Sequence, residues 1–126
     1  DWFGLAAVFC SEDTADVFNN KVVQSSMGAF LRVPVIKQNL SSILAERADS
    51  FPIYGADMKG KNILAINDLP YGMIVIGHEG QGIRPETKTN ISTYLHIPKG
   101  RSGGAEYLNA GVACGIICAQ LARFTY

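Results

Sequence analysis

Ile74, Val75 and Ile76 follow one another with no polar residue among them, and Gly77-His78-Glu79-Gly80-Gln81-Gly82 comes directly after. A run that is apolar at every position has no face to offer to water, so it fits a strand covered on both sides in a parallel sheet. Parallel neighbours need crossover connections, usually helical, and the rest of the chain supplies that alternation. Short apolar runs at Leu5 to Cys10, Phe30 to Ile36, Ile63 to Ile66, Gly72 to Ile76 and Tyr94 to Ile97 are the strand candidates. Pro34 has no N–H to give a ladder, so the second run is an edge strand or ends early. Between the runs the period turns helical. Asn39 to Ala48 places Leu40, Ile43, Leu44 and Arg47 on one face, with Asn39 or Ser41 as N-cap. Asp13 to Phe18 reads as a short helix, and Pro85 suits the first turn of another. From Ala105 a long helix is expected, with Leu108, Val112, Ile116 and Ala119 as its apolar stripe. Ile117 and Leu121 widen that stripe toward a partner surface. The predicted class is α/β, a largely parallel sheet with flanking helices.

At 126 residues the chain is one domain's worth, long enough to bury a core without a disulfide or metal staple. Its 48% hydrophobic and 17% charged residues lie outside the composition of disordered chains. Eleven basic residues balance eleven acidic ones, so no net field steers a polyanion to it, though a local patch is still allowed. No apolar stretch approaches the roughly 18 residues that cross a bilayer. The opening Asp1-Trp2-Phe3-Gly4-Leu5 has neither an initiator Met nor a basic signal-peptide flank, which reads as a piece of a longer protein. Cys10, Cys114 and Cys118 are an odd set in apolar runs, expected as reduced thiols of a cytoplasmic protein. His78 and His96 have no metal-motif spacing around them, so no metal site is expected.

Two glycine-rich segments are placed to carry chemistry. The Gly77 to Gly82 loop leaves the most apolar strand, where α/β sheets bind ligands. It matches neither the dinucleotide fingerprint nor a phosphate loop. Glu79, its one acid, is a general base, a ligand anchor or an acceptor for backbone N–H groups, the last being favoured by its glycine neighbours. The second segment runs from Ile97-Pro98-Lys99-Gly100 through Gly103-Gly104-Ala105-Glu106-Tyr107-Leu108-Asn109. Local chemistry reads Asn109 as a helix cap, and Lys99 with Arg101 as a small cationic spot able to meet phosphate. Together the two loops can form one crevice.

The stretch Ile74 to Ile83, then Ile97-Pro98, then Glu106-Tyr107-Leu108-Asn109-Ala110-Gly111-Val112-Ala113, resembles motifs two and three of the SpoU/TrmH family, RNA 2′-O-methyltransferases of the SPOUT class. Asp1 to Gly4 and Asn19 to Gly28 are also similar to family segments, so the resemblance covers nearly the whole chain. It implies a single SPOUT domain over residues 1–126, with a C-terminal trefoil knot and a homodimer packed through the knot region. It implies S-adenosylmethionine as cofactor, its adenine lying against the loops at Gly77, Ile97 and Leu108, with Gly80 and Pro98 shaping the slot and Ile76 and Ala113 completing it. It implies methyl transfer to a ribose 2′-hydroxyl of rRNA or tRNA. Asn109 is carried over as a candidate active-site residue, Glu79 as its support and Tyr107 as a third candidate.

Three departures accompany the resemblance. The family's motif one, an Asn-x-Gly-x-x-x-Arg stretch whose Arg helps activate the hydroxyl, belongs just before Asp1, together with a first strand. Without it the 126 residues alone are expected to be weakly active or inactive. Tyr107 stands where the family has Ser, and His78 where Asn is common. The alternative these departures leave is a non-catalytic RNA-binding or dimerisation module. An unrelated nucleotide-binding α/β domain would need four similar segments to coincide.

Overall fold

The computed structural model describes residues 1–123, which form two compact units, one of residues 1–43 and one from Leu44 onward. All strand pairing between the named strands is parallel.

In the first unit, β1 (Val8–Cys10) pairs with β2 (Val35–Lys37), Val8 opposite Val35 and Cys10 opposite Lys37. The strand expected from Phe30 begins only after Pro34. Residues Ala29–Leu31 form a 3-10 turn, and the Pro34 carbonyl accepts from Val8 N–H at 2.8 Å, so the proline sits at the strand's entry. α1 (Asn20–Ser26) starts at Asn19, whose side chain accepts from Lys21 N–H. It stops where Met27 (φ 50°) and Gly28 (φ 80°) turn left-handed in succession. The expected helix at Asp13 to Phe18 is absent. Asp16 accepts from Phe18 N–H at 3.0 Å, and the Ser11 and Thr14 hydroxyls pair at 2.9 Å. Such short side chains offer the backbone an alternative to the helix. Lys37 then fastens this turn by donating to Thr14 O at 2.7 Å.

α2 (Leu40–Arg47) crosses from one unit to the next and buries Ile43 and Leu44 as expected. Asn39 accepts from Ser42 N–H at 3.0 Å. In the second unit β3 (Ile53–Asn62) lies between β4 (Met73–Val75) and β5 (Thr93–His96). Sequence patterning misses β3, because Gly55, Asp57, Lys59, Gly60 and Lys61 break its apolar run. The strand expected at Ile63 to Ile66 is instead a 3-10 turn, Ile63–Ala65, started by Asn62 accepting from Leu64 N–H at 3.0 Å. β4 pairs with β3 alone among the described residues, and Ile74 and Val75 are half-buried rather than covered on both sides.

A short helix α3 (Pro85–Lys88) has Pro85 in its first turn. The last helix, α4 (Ala110–Ala122), begins five residues later than expected, at the Asn109 cap. Tyr54, Ile63, Leu69, Leu95 and Ile117 make the core, with Ile74, Ile76, Ile97 and Leu121 packed on it. The Tyr54 hydroxyl donates to Pro70 O at 2.8 Å, and burial beside Asp68 raises its pKa. The expected stripe of α4 is corrected: Ile117 and Cys118 are buried, whereas Leu108 and Val112 are about half exposed. The helix is apolar on every side, so its period does not choose a face. Gln120 does, donating to Ile63 O at 3.2 Å.

Cys10, Cys114 and Cys118 are all free thiols. The Cys114 and Cys118 sulfurs lie 3.9 Å apart, and their hydrogen bond holds Cys114 down to about 6 while pushing Cys118 up. No helix among the described residues is long and apolar enough to cross a membrane. The packing of α4 predicts that Ile117→Ala costs about 3 kcal/mol in urea unfolding. Val112→Ala, five residues earlier on the open side, should cost under about 1 kcal/mol, and equal costs would mean that the helix is turned otherwise.

Candidate active site

The Gly77 to Gly82 loop closes on itself before it meets anything else. His78 N–H donates to Gly82 O at 3.1 Å, and Gly82 N–H returns to His78 O at 2.8 Å. Gly80 N–H donates to His78 Nδ1 at 3.1 Å, which makes that nitrogen an acceptor and spends His78 on the turn. Gly82 takes φ +69°. A Cβ on Gly77 would stand 2.3 Å from Gly82 C and 2.5 Å from Ile83 N, so the loop's own backbone demands glycine there. Ile83, 6% exposed, anchors the far end.

The loop projects Glu79 outward toward the N-terminus of α4. Glu79 Oε1 accepts from Asn109 Nδ2 at 2.9 Å and from Ala110 N–H at 3.2 Å. Asn109 turns its other atom to the helix, Oδ1 accepting from Gly111 N–H at 3.0 Å and Val112 N–H at 3.2 Å. Three of the backbone donors that a helix start leaves unpaired are thus satisfied, and a carboxylate faces the positive end of the helix dipole. The cap and backbone-acceptor readings of Asn109 and Glu79 are both realised in one node. Ala110 enters it through its N–H alone, which no side-chain pattern signals.

Beside this node lies an open cavity of about 420 Å³, lined by Glu79, Gly80, Tyr107, Leu108 and Asn109. Both glycine-rich segments contribute to it. The other expected site residues are not among its lining: Ile76 and Ile97 pack against the core, Gly77 serves the loop, Pro98 is half-buried, and Ala113 lies on α4. Tyr107 is 61% exposed. Among the described residues no group of three His, Cys, Asp or Glu is gathered so as to hold a metal. The wall combines an acid, bare glycine backbone and apolar side chains, and its volume is that of a small-molecule site. Glu79 Oε2 makes no hydrogen bond among the described residues, leaving an anionic oxygen at the rim.

The model of the SpoU rRNA Methylase family matches residues 1–119. The chain is 31% identical over 125 residues to 23S rRNA (guanosine(2553)-2′-O)-methyltransferase RlmP of Bacillus subtilis, covering 96% of this chain and 49% of that protein. It superposes on a TrmH-family structure from Porphyromonas gingivalis with a TM-score of 0.85 at 38% identity, over 98% of this chain and 51% of that one. The SpoU methyltransferase AviRb from Streptomyces viridochromogenes, solved with AdoMet, gives a TM-score of 0.82 at 26% identity, over 98% and 49%. The chain therefore spans about half the length of these relatives.

The node predicts a thermodynamic coupling. Asn109→Ala should cost about 1 kcal/mol for the lost cap, and Glu79→Ala should destabilise as well. The double variant should lose about 0.5 kcal/mol less than the sum of the two. Strict additivity in thermal unfolding would mean that the two side chains do not meet in solution.

Proposed function

The chain belongs to the SpoU rRNA Methylase family, and from that membership we propose that it is the catalytic domain of an S-adenosylmethionine-dependent RNA 2′-O-ribose methyltransferase acting on rRNA or tRNA. The observation that carries the reading is the Glu79–Asn109–Ala110 node, which draws the two family-like loops to one cavity of about 420 Å³. When bound, the cofactor supplies a methyl group on a cationic sulfonium, poised for displacement. Leu108 and the backbone at Gly80 would hold its apolar parts, and the spare Glu79 oxygen favours a cation at the rim. Ile76, Gly77, Ile97, Pro98 and Ala113 would complete the slot from the loops and helix around it.

Asn109 is fixed at both ends of its amide, so it can orient a hydroxyl at the cavity without paying rotamer entropy at the moment of reaction. A ribose hydroxyl is a weak nucleophile, and rate then depends on alignment and on an acceptor for its proton. Tyr107 reaches the same cavity and brings a hydroxyl, on a longer lever than the Ser of the family pattern. That replacement is the observation favouring the second reading, a SPOUT-like RNA-binding and dimerisation module that has lost activity.

A C-terminal trefoil knot and a homodimer packed through it are part of the proposal. Exposed Tyr107 and Leu108 before the α4 cap, with Val112 in its first turn, suit burial against a second copy. The place of action is the cytoplasm.

Gly80 offers a cleaner test than Gly77. A Cβ on Gly80 meets nothing nearer than 3.8 Å, so Gly80→Val adds bulk at the wall without breaking the loop. S-adenosylmethionine should bind the chain with micromolar affinity by calorimetry, and Gly80→Val should weaken it at least about tenfold, roughly 1.4 kcal/mol. Absent or unaltered binding would refute the slot. Binding without methyl transfer to rRNA or tRNA by the longer protein would favour the module.

A further inference from the structure

A second cavity, of about 210 Å³, is lined by Asp57, Lys59, Lys88 and Tyr94 and shares no residue with the first. We propose that it is a contact site for single-stranded RNA, with Lys59 and Lys88 meeting backbone phosphate and the Tyr94 ring meeting a base; the inference deepens the RNA methyltransferase reading and rests on it.

The first support is a built irregularity. Ala56 and Lys61 of β3 both pair with Leu95 of β5, so the four residues Asp57 to Gly60 leave the ladder and return. Excursions of this kind re-aim side chains and recur beside functional sites. This one needs Gly60, where a Cβ would stand 2.5 Å from Tyr94 C and 2.6 Å from Leu95 N. The backbone is thus pressed against β5 at the residue whose ring lines the cavity. The ring is seated too: a Cβ on Gly55 would come within 2.9 Å of Tyr94 Cε1 and 2.8 Å of Ile91 Cδ1. An aromatic held in place can stack on a base with little loss of entropy, and every base offers a face for it.

Charge is the second support. Asp57 Oδ1 is occupied by Lys59 N–H at 2.9 Å in a local turn. Neither the Lys59 nor the Lys88 ammonium makes a hydrogen bond or ion pair among the described residues. Two unpaired cations against one engaged carboxylate leave a positive concavity on a chain whose net charge is zero. A polyanion is the partner such a patch fits, and the aromatic ring that lines the same cavity selects one that carries bases.

The test compares the unsubstituted chain with Lys59→Gln/Lys88→Gln and with a control, Lys21→Gln/Arg47→Gln, that removes equal charge elsewhere. Binding of a fluorescein-labelled single-stranded RNA 12-mer is followed by anisotropy over a salt series, and S-adenosylmethionine affinity is measured on the same samples. The cavity pair should bind RNA about tenfold more weakly at low salt, and its log–log salt slope should fall by about 1.4, the release from two single-strand phosphates. Cofactor affinity should be unchanged, which shows that the fold is intact, and the control should lose far less. Equal affinity and slope, equal loss in the control, or no RNA binding by the unsubstituted chain would overturn the proposal. Lysine-dependent RNA binding without cofactor binding would sustain it while the enzyme reading fails.

Discussion

A single carboxylate oxygen holds the candidate site together. Glu79 Oε1 receives the Asn109 amide at 2.9 Å and the Ala110 N–H at 3.2 Å, joining a loop that leaves β4 to the start of a helix thirty residues later. The bond to Ala110 uses a donor that a helix start leaves free, and the bond to Asn109 sets the amide so that its oxygen can cap the same helix. Stability and site geometry are therefore the same few contacts. Tyr107 and Leu108, the two residues before the cap, reach the cavity because of where the cap is fixed.

Around that node the fold works by close backbone approach. Parallel pairing of β3 with β4 and β5 aims both strand ends, and so both loops, toward one side. Gly77 lets its loop fold back on Gly82, and Gly60 lets β3 press on β5. Glycine in these places serves contacts of the chain with itself. The cavity then inherits bare backbone and a few directed polar groups, a wall suited to a ligand recognised more by shape than by charge.

Much of this was legible in the sequence. The Ile74-Val75-Ile76 run marks β4, Asn39 marks α2, Pro85 marks α3, and the residues around Glu79 and Asn109 carry the family resemblance. What escaped has identifiable causes. β3 was hidden because glycines and charges interrupt it for the sake of its excursion and its neighbours. Asp16 and Asn62 redirected backbone that apolar periodicity had assigned to a helix and a strand. α4 is apolar all round, so its inward face depended on a tertiary hydrogen bond from Gln120 to Ile63. The lysine-lined cavity joins residues from β3, α3 and β5, which no local pattern brings together.

On the proposed reading, Glu79, Asn109 and the backbone at Ala110 present one cofactor cavity. The most direct measurement is a titration of the ¹⁵N-labelled chain with S-adenosylmethionine, followed by amide NMR. The signals of Gly80, Leu108, Ala110 and the Asn109 side-chain amide should shift together along one binding curve. Shifts confined to other parts of the chain, or none at saturating cofactor, would contradict it.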